Sequence, residues 1–397
     1  MRFPEFSGEW EKCTLGSIGE TFNGLTGKSA VDFGSGSPYI TYKLIFDSSK
    51  IDISKVEYVK ITETERVKQT QNEVEYGDIF FTTSSETPEE VGMASVLLSE
   101  IRDCYLNSFC FGYRLFDKCI HQPDFFRFYL RSSNLRKKIA ILAQGSTRFN
   151  ISKNEVMKMP IFLPSLAEQR KISKLLSLIE DRIETQKKII EKYESLIRGL
   201  ITSVNKGEIC KCKATALKDV LTEVHEKNVE NHEVCSVSVS QGVINQIDYL
   251  GRSFAAKEVL HYNVVNHGDI VYTKSPTGEF PYGIVKRSNL DRPVAVSPLY
   301  GVYRPLNDYV GIYLHLYFKS PVNTKNYLHR LIQKGAKNTI NITNQRFLDN
   351  KIFIPENGWL EIIVNAASTI EKMIQIECDT LLWLERQKNY LLSKMFI

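Results

Sequence analysis

Part of this chain is written twice. YGDIFFTTS (76–84) returns as HGDIVYTKS (267–275), GSTRFNIS (145–152) as GAKNTINIT (335–343), and IFLPS (161–165) as IFIPE (352–356). Measured at Gly77, Asn150 and Pro164, the offset is 191 residues each time. Three distant matches at one offset mark a duplication, so the chain folds as two like halves rather than around one continuous core. The openings drift, because TLGSIGE (14–20) resembles TALKDVLTE (215–223) at another offset, which puts a loop-length difference there.

Each IFLP or IFIP strand leads into a helical pattern. Steps of four and three from Ile172 give Leu176, Ile179, Ile183, Gln186, Ile190, Tyr193, Ile197, Leu200 and Val204. The second copy gives Ile363, Ala367, Ile370, Ile374, Glu377, Leu381, Leu384, Lys388, Leu391 and Met395. These are heptad seams, and both are interrupted by a polar residue at the same place, Gln186 and Glu377. Each seam predicts a rod of about 50 Å at about 1.5 Å per residue. Ser165 and Glu168 resemble a capping box at the first rod's start, and Lys206-Gly207 supplies its stop. Packing onto the globular halves would satisfy such a seam. Pairing of the two rods, antiparallel, with Gln186 and Glu377 near the midpoint to fix register, satisfies it better. The expected molecule is a dumbbell with an internal pseudo-twofold repeat and an α+β fold. Its expected parts are head 1–160, rod 161–207, head 208–357 and rod 358–397.

Within the heads, GDIFFTTS, ASVLL (94–98), GDIVYTKS and YGIVK (282–286) read as strands, and PDFFRFYLRSSNLRKKIAIL (123–142) as a helix. That helix carries Arg127, Arg131, Arg136, Lys137 and Lys138; the second head answers with His315, Lys319, Lys325, His329, Arg330 and Lys334. Basic residues among Phe and Tyr suit a phosphate backbone, and suit an ordinary solvated helix face equally well. Two recurring loops are rich in small hydrogen-bonding groups. One holds Thr82, Thr83, Ser84 and Ser85, matched by Thr273, Lys274 and Ser275. The other holds Ser146, Thr147, Arg148 and Asn150, matched by Lys337, Asn338, Thr339, Asn341 and, further on, Thr343. Such loops also occur as plain turns. Duplicated position with divergent content is what two readers of different base sequences would need.

Chemistry of its own is hard to find. FNGLTGKS (22–29) has Phe22 where a phosphate-binding loop starts with glycine, and DFGSGSPY (32–39) lacks the strand and helix of a cofactor loop. The tetrapeptide of an amino-methyltransferase, GxSxG and HExxH are absent. Eight cysteines include no CxxC, and Cys210 and Cys212 have no histidine at zinc-finger spacing, so a metal is not expected. Free thiols and the lack of a 20-residue apolar stretch or an apolar leader point to a cytoplasmic protein without a membrane span. A formal charge of +5 permits a polyanionic partner without demanding one.

In WEKCTLGSIGETFNG (10–24), EYGDIFFTTS (75–84), and QGSTRFNISKNEVMKMPIFLPSLAEQRKI with the helix that follows (144–201), the chain resembles the specificity subunits of type I restriction–modification enzymes. A fainter second copy ends in WLERQKNYLLSKMF; it lacks the EQR, holding Asn357-Gly358-Trp359-Leu360-Glu361 instead. The resemblance implies two target recognition domains joined by an antiparallel coiled coil, each reading half of a split double-stranded DNA site, with the helices as spacer. It implies no catalysis and no cofactor of the chain's own. Two methyltransferase subunits using S-adenosylmethionine, and two restriction–translocase subunits using ATP and magnesium, would be its partners. A single-chain DNA methyltransferase or nuclease, and a coiled-coil scaffold that ignores DNA, are the alternative readings.

Overall fold

Each half opens with a strand that pairs, at the far end of the half, with the strand leading into a long helix. Glu11–Thr14 runs antiparallel to Pro160–Leu163, and Cys212–Ala216 antiparallel to Lys351–Pro355. The structure is a computed structural model describing residues 1–68, 70–247, 258–334, 340–356 and 358–396. It divides into two compact units, Met1–Lys187 with Asp379–Ile397, and Lys188–Cys378. The division passes through both long helices, so each unit holds a part of each.

In the first unit a four-stranded antiparallel sheet has the order Gly19–Asn23, Cys110–Leu115, Ile79–Thr82, Ala94–Val96. In the second the order is Leu221–Glu223, Gly301–Pro305, Ile270–Tyr272, Val285–Arg287. Register is duplicated too: Ile79 faces Tyr113 and Val96, and Ile270 faces Tyr303 and Arg287. The repeated GDI explains itself at this point. Gly77 and Gly268 both hold φ near +86° (86° and 87°), a left-handed turn that glycine makes without a Cβ penalty. The following aspartate is buried in each unit and grips a sheet arginine through both oxygens, Asp78 with Arg114 (2.8 and 2.7 Å) and Asp269 with Arg304 (3.0 and 3.1 Å). The first unit adds a three-stranded sheet, Glu57–Val59, Phe33–Ile40 and Tyr105–Leu106.

The segment 123–142, read as one helix, is two: Pro123–Tyr129 and Ser133–Ile141. The break falls where Ser132 takes extended backbone and Arg131 turns inward onto the carbonyls of Ala94, Ile45, Phe46 and Ser48. The second unit has the same pair, Asp308–Phe318 and Pro321–His329.

The long helices are Leu166–Asn205 and Trp359–Lys394. Every position of both expected seams is buried or half-buried. In the first unit Ile172, Leu176, Ile179 and Ile183 share a core with Leu384, Leu391 and Met395, so the early part of one helix meets the late part of the other. Lys388 Nζ donates to Glu180 at 2.6 Å, and Lys187 lies 3.3 Å from Glu385. In the second unit Ile197, Ile201 and Val204 join Ile363, Val364 and Ala367, late against early. The pairing is therefore antiparallel in each unit. At the first helix's start the Glu168 N–H donates to Ser165 Oγ, but the expected capping box is only half made. The Glu168 carboxylate instead takes two 2.7 Å bonds from Arg2, which pins the chain's start to the rod. Gln169, 2% exposed, bonds Pro164 O and the backbone N–H of Gln122, which gives the EQR sequence a structural purpose. Gly207, at φ +72°, ends the helix as expected. No helix among the described residues is long and apolar enough to cross a membrane.

Candidate nucleic-acid interface

Sixty-odd residues separate the two recurring loops of the first unit, yet the fold makes them neighbours. Ser84–Ser85 and Phe149–Asn150 form a two-stranded antiparallel ribbon, with Ser85 opposite Phe149 and Ser84 opposite Asn150. The second loop is a tight hairpin closed by mutual backbone bonds between Gln144 and Asn150. Gly145 permits it: φ is +130°, and a Cβ there would sit 2.2 Å from Arg148 O. The hairpin leaves Ser146, Thr147 and Arg148 exposed at its tip, with Asn150 exposed beside them.

Beside the ribbon lies a cleft of about 520 Å³ lined by Tyr42, Phe46, Ser84, Ser85, Phe109 and Arg148, with Glu86 and Glu90 at its border. Tyr42 and Phe46 stack with centroids 5.9 Å apart, and Phe109 is 66% exposed. Flat aromatic surface beside a guanidinium can stack on a base and hold a phosphate, and the two Glu supply acceptors for exocyclic amino groups. The hydroxyls divide into spent and available. Thr83 donates to Phe109 O, Ser85 to Glu90, and Tyr42, whose hydroxyl pKa burial raises, donates to Ser84 O. The side chains of Ser84, Ser146, Thr147 and Arg148 make no hydrogen bond or ion pair among the described residues.

Four expected contact residues are placed otherwise, the first being Ser85, which is only 8% exposed and donates to Glu90. Thr82 is fully buried, its Oγ accepting from the Met93 N–H, and Thr273 is 3% exposed with its N–H donating to Ile284 O. Thr82 ends its GDI strand, Ile79–Thr82, and Thr273 directly follows the equivalent strand Ile270–Tyr272. Arg136, half-buried, donates to the carbonyls of Gly92, Glu89 and Val91 at 2.6–2.7 Å, so its guanidinium is committed to closing the 89–92 turn. Arg127 likewise is committed to Asp124 and Glu180. Lys137 stays exposed.

In the second unit Ser275 is exposed and Lys274 half-buried, its pKa lowered by burial and partly restored by Glu223. Thr343 is exposed and its Oγ1 caps Asn344–Asp349 by accepting from the Arg346 N–H. Lys337, Asn338 and Thr339 lie outside the described residues, and Asn341 is placed only as part of the strand Ile340–Asn341. Gln186 is buried in the first unit, and Glu377 half-buried in the second. Tyr42, Phe46 and Phe109 were missed. Phe109 stands in a turn between the strands Tyr105–Leu106 and Cys110–Leu115, where its N–H donates to Asn107 Oδ1. No group of three or more His, Cys, Asp or Glu among the described residues is arranged to hold a metal, and their cysteines form no disulfide.

Comparison with known proteins gives consistent results. Residues 7–195 match the family model described as type I restriction modification DNA specificity domain. A curated relative from Methanocaldococcus jannaschii, provisionally named type I restriction enzyme MjaX specificity subunit, is 31% identical over 205 residues. That alignment covers 50% of this chain and 45% of the relative, so the match spans about half the relative's length. Among solved structures, the type I restriction–modification system S subunit from M. genitalium superposes with a TM-score of 0.58 at 12% identity, covering 100% of this chain and 99% of that one. A chain from a structural study of complex assembly and conformational transition of the type I system gives 0.54 at 14% identity, covering 98% and 97%. At these identities the superpositions establish likeness of fold.

Proposed function

We propose that this chain is the DNA-reading subunit of a type I restriction–modification complex, a reading supported by the match of residues 7–195 to the type I restriction modification DNA specificity domain. The observation that carries the reading is the ribbon that joins the two duplicated loops, with the uncommitted Arg148 beside exposed aromatic rings. The first unit reads one half of a bipartite double-stranded site through Ser84, Ser146, Thr147, Arg148 and Asn150. The second reads the other half through Lys274, Ser275 and the loop that precedes Thr343. Base-edge bonds of about 1–3 kcal/mol each set the sequence, and phosphate contacts make affinity fall with salt. The long helices space the readers and dock two methyltransferase subunits; two restriction–translocase subunits complete the complex. S-adenosylmethionine, ATP and magnesium serve those partners, and the chain itself carries out no reaction. Its place of action is the cytoplasm, where the DNA is.

The test replaces residues 1–160 with the head of a reader of different specificity and maps N6-methyladenine across the genome. One half of the methylated site should change and the other stay. A change in both halves, or in neither, overturns modular reading.

A further inference from the structure

The strand beside the central GDI strand carries at its middle Ser95 in the first unit and Lys286 in the second, facing Phe80 and Val271 in equivalent register. Both are buried, but the consequences differ. Ser95 leaves one hydroxyl without a partner. The cation near that strand in the first unit, Arg131, spends its donors on four backbone carbonyls. Lys286 is only 4% exposed as a residue, its side chain reaches the wall of a cavity, and among the described residues no carboxylate, carbonyl or hydroxyl accepts from its ammonium. Lysine is almost never kept in that condition.

Lys286 lines a cavity of about 230 Å³ with Ser240, Arg287, Asn289, His315 and Lys319. No carboxylate lines it among the described residues. The neighbouring cations are answered elsewhere: Arg287 pairs with Asp308, and Lys319 with Glu371 at 3.2 Å. His315 accepts the Arg287 N–H at Nδ1. Burial, together with Lys286, Lys319 and Arg287, lowers its pKa to about 3. A neutral imidazole accepting at Nδ1 carries its proton on Nε2, and so becomes one more donor. The cavity therefore offers an ammonium, a ring N–H and the Ser240 hydroxyl, which shares a 3.3 Å bond with the Ser238 hydroxyl, in a net positive field with no carboxylate in its described lining.

We propose that this cavity of the second unit binds a phosphate group through Lys286, His315 and Ser240. Two sources share that chemistry, a free phosphate or phosphate monoester and a backbone phosphate of nucleic acid. The site does not depend on the DNA-reading role, because binding of the free anion is measured without DNA.

Inorganic phosphate is titrated into the full chain at constant ionic strength, with chloride as the replaced ion, and followed by thermal shift and calorimetry. Saturable binding in the millimolar range or tighter is expected, weakened about tenfold or more in Lys286→Met, a substitution that fits the buried stem and removes the charge-assisted bond. Ser240→Ala should weaken binding less, and Lys137→Met not at all. Absence of saturable binding, or equal binding by Lys286→Met, overturns the proposal. Should Lys286→Met fail to fold, Ser240→Ala and His315→Gln decide it by the same comparison. A DNA arm separates the sources: competition between phosphate and duplex assigns the backbone, and simultaneous binding assigns the free anion.

Discussion

Arg136 and Arg148 stand in the same stretch of sequence and have opposite uses. Arg136 closes the 89–92 turn through three carbonyls, whereas Arg148 projects from its hairpin uncommitted. Arg136→Ala should therefore lower stability by about 2–3 kcal/mol in chemical denaturation, since it strands buried acceptors. Arg148→Ala should leave the unfolding midpoint in place, weaken DNA binding, and reduce the salt slope by about one. Lys286 carries a pH signature. Burial first, and Lys319 second, lower its pKa to about 8 from the ordinary 10.5. A lysine depressed on folding costs stability while both states are charged. The cost is relieved as pH rises from about 8 toward 10.5, where the native state has released a proton the unfolded chain retains. Wild type should thus gain on Lys286→Met over that window, as read from paired denaturation curves. No property of an arginine or lysine in sequence separates these cases; the carbonyls or cavity around each charge do so.

At the scale of elements, the seams were readable because burial repeats along a helix with the period of the pattern. Leu176 is fully buried and Leu178, two residues on, is 58% exposed. Leu176→Ala should cost about 2–5 kcal/mol and Leu178→Ala less than about 0.5, judged by denaturation midpoints. Glu180 shows what the period does not give. From the rod's flank it binds Arg127 and Lys388 at 2.6 Å each, joining the head's helix to both rods within one unit. The 123–142 segment shows another limit. Its helical composition continues through 130–132, and the break there serves Arg131's contacts with residues far away in sequence.

For the molecule as a whole, the units cross the order of the chain. The first unit's core is finished by Leu384, Leu391, Met395 and Phe396, with Phe396 packed on Phe125 and Tyr129 at 5.7 and 5.6 Å. A chain ending at residue 378 keeps the whole N-terminal head and the first rod, yet should lose the head's cooperative unfolding. Each large apolar side chain withdrawn costs about 1.5–3 kcal/mol, and the uncovered face is oily. Near-UV circular dichroism and limited proteolysis of the truncated chain would check this; a head that remained protease-resistant would refute it.

Sequence alone determined the duplication, the strands around each GDI and the two heptad rods, because each is local or periodic and a repeated pattern repeats its physics; the antiparallel contact of the rods within each unit came from the tertiary structure. The sequence also determined which loops to suspect. Only the tertiary structure decided which suspects reach solvent. It buried Thr82 and Thr273, tied Arg136 to backbone carbonyls, turned Phe109 outward, and brought Ser84 beside Asn150. Exposure and partnership depend on what packs across from a side chain, and those neighbours come from distant parts of the chain.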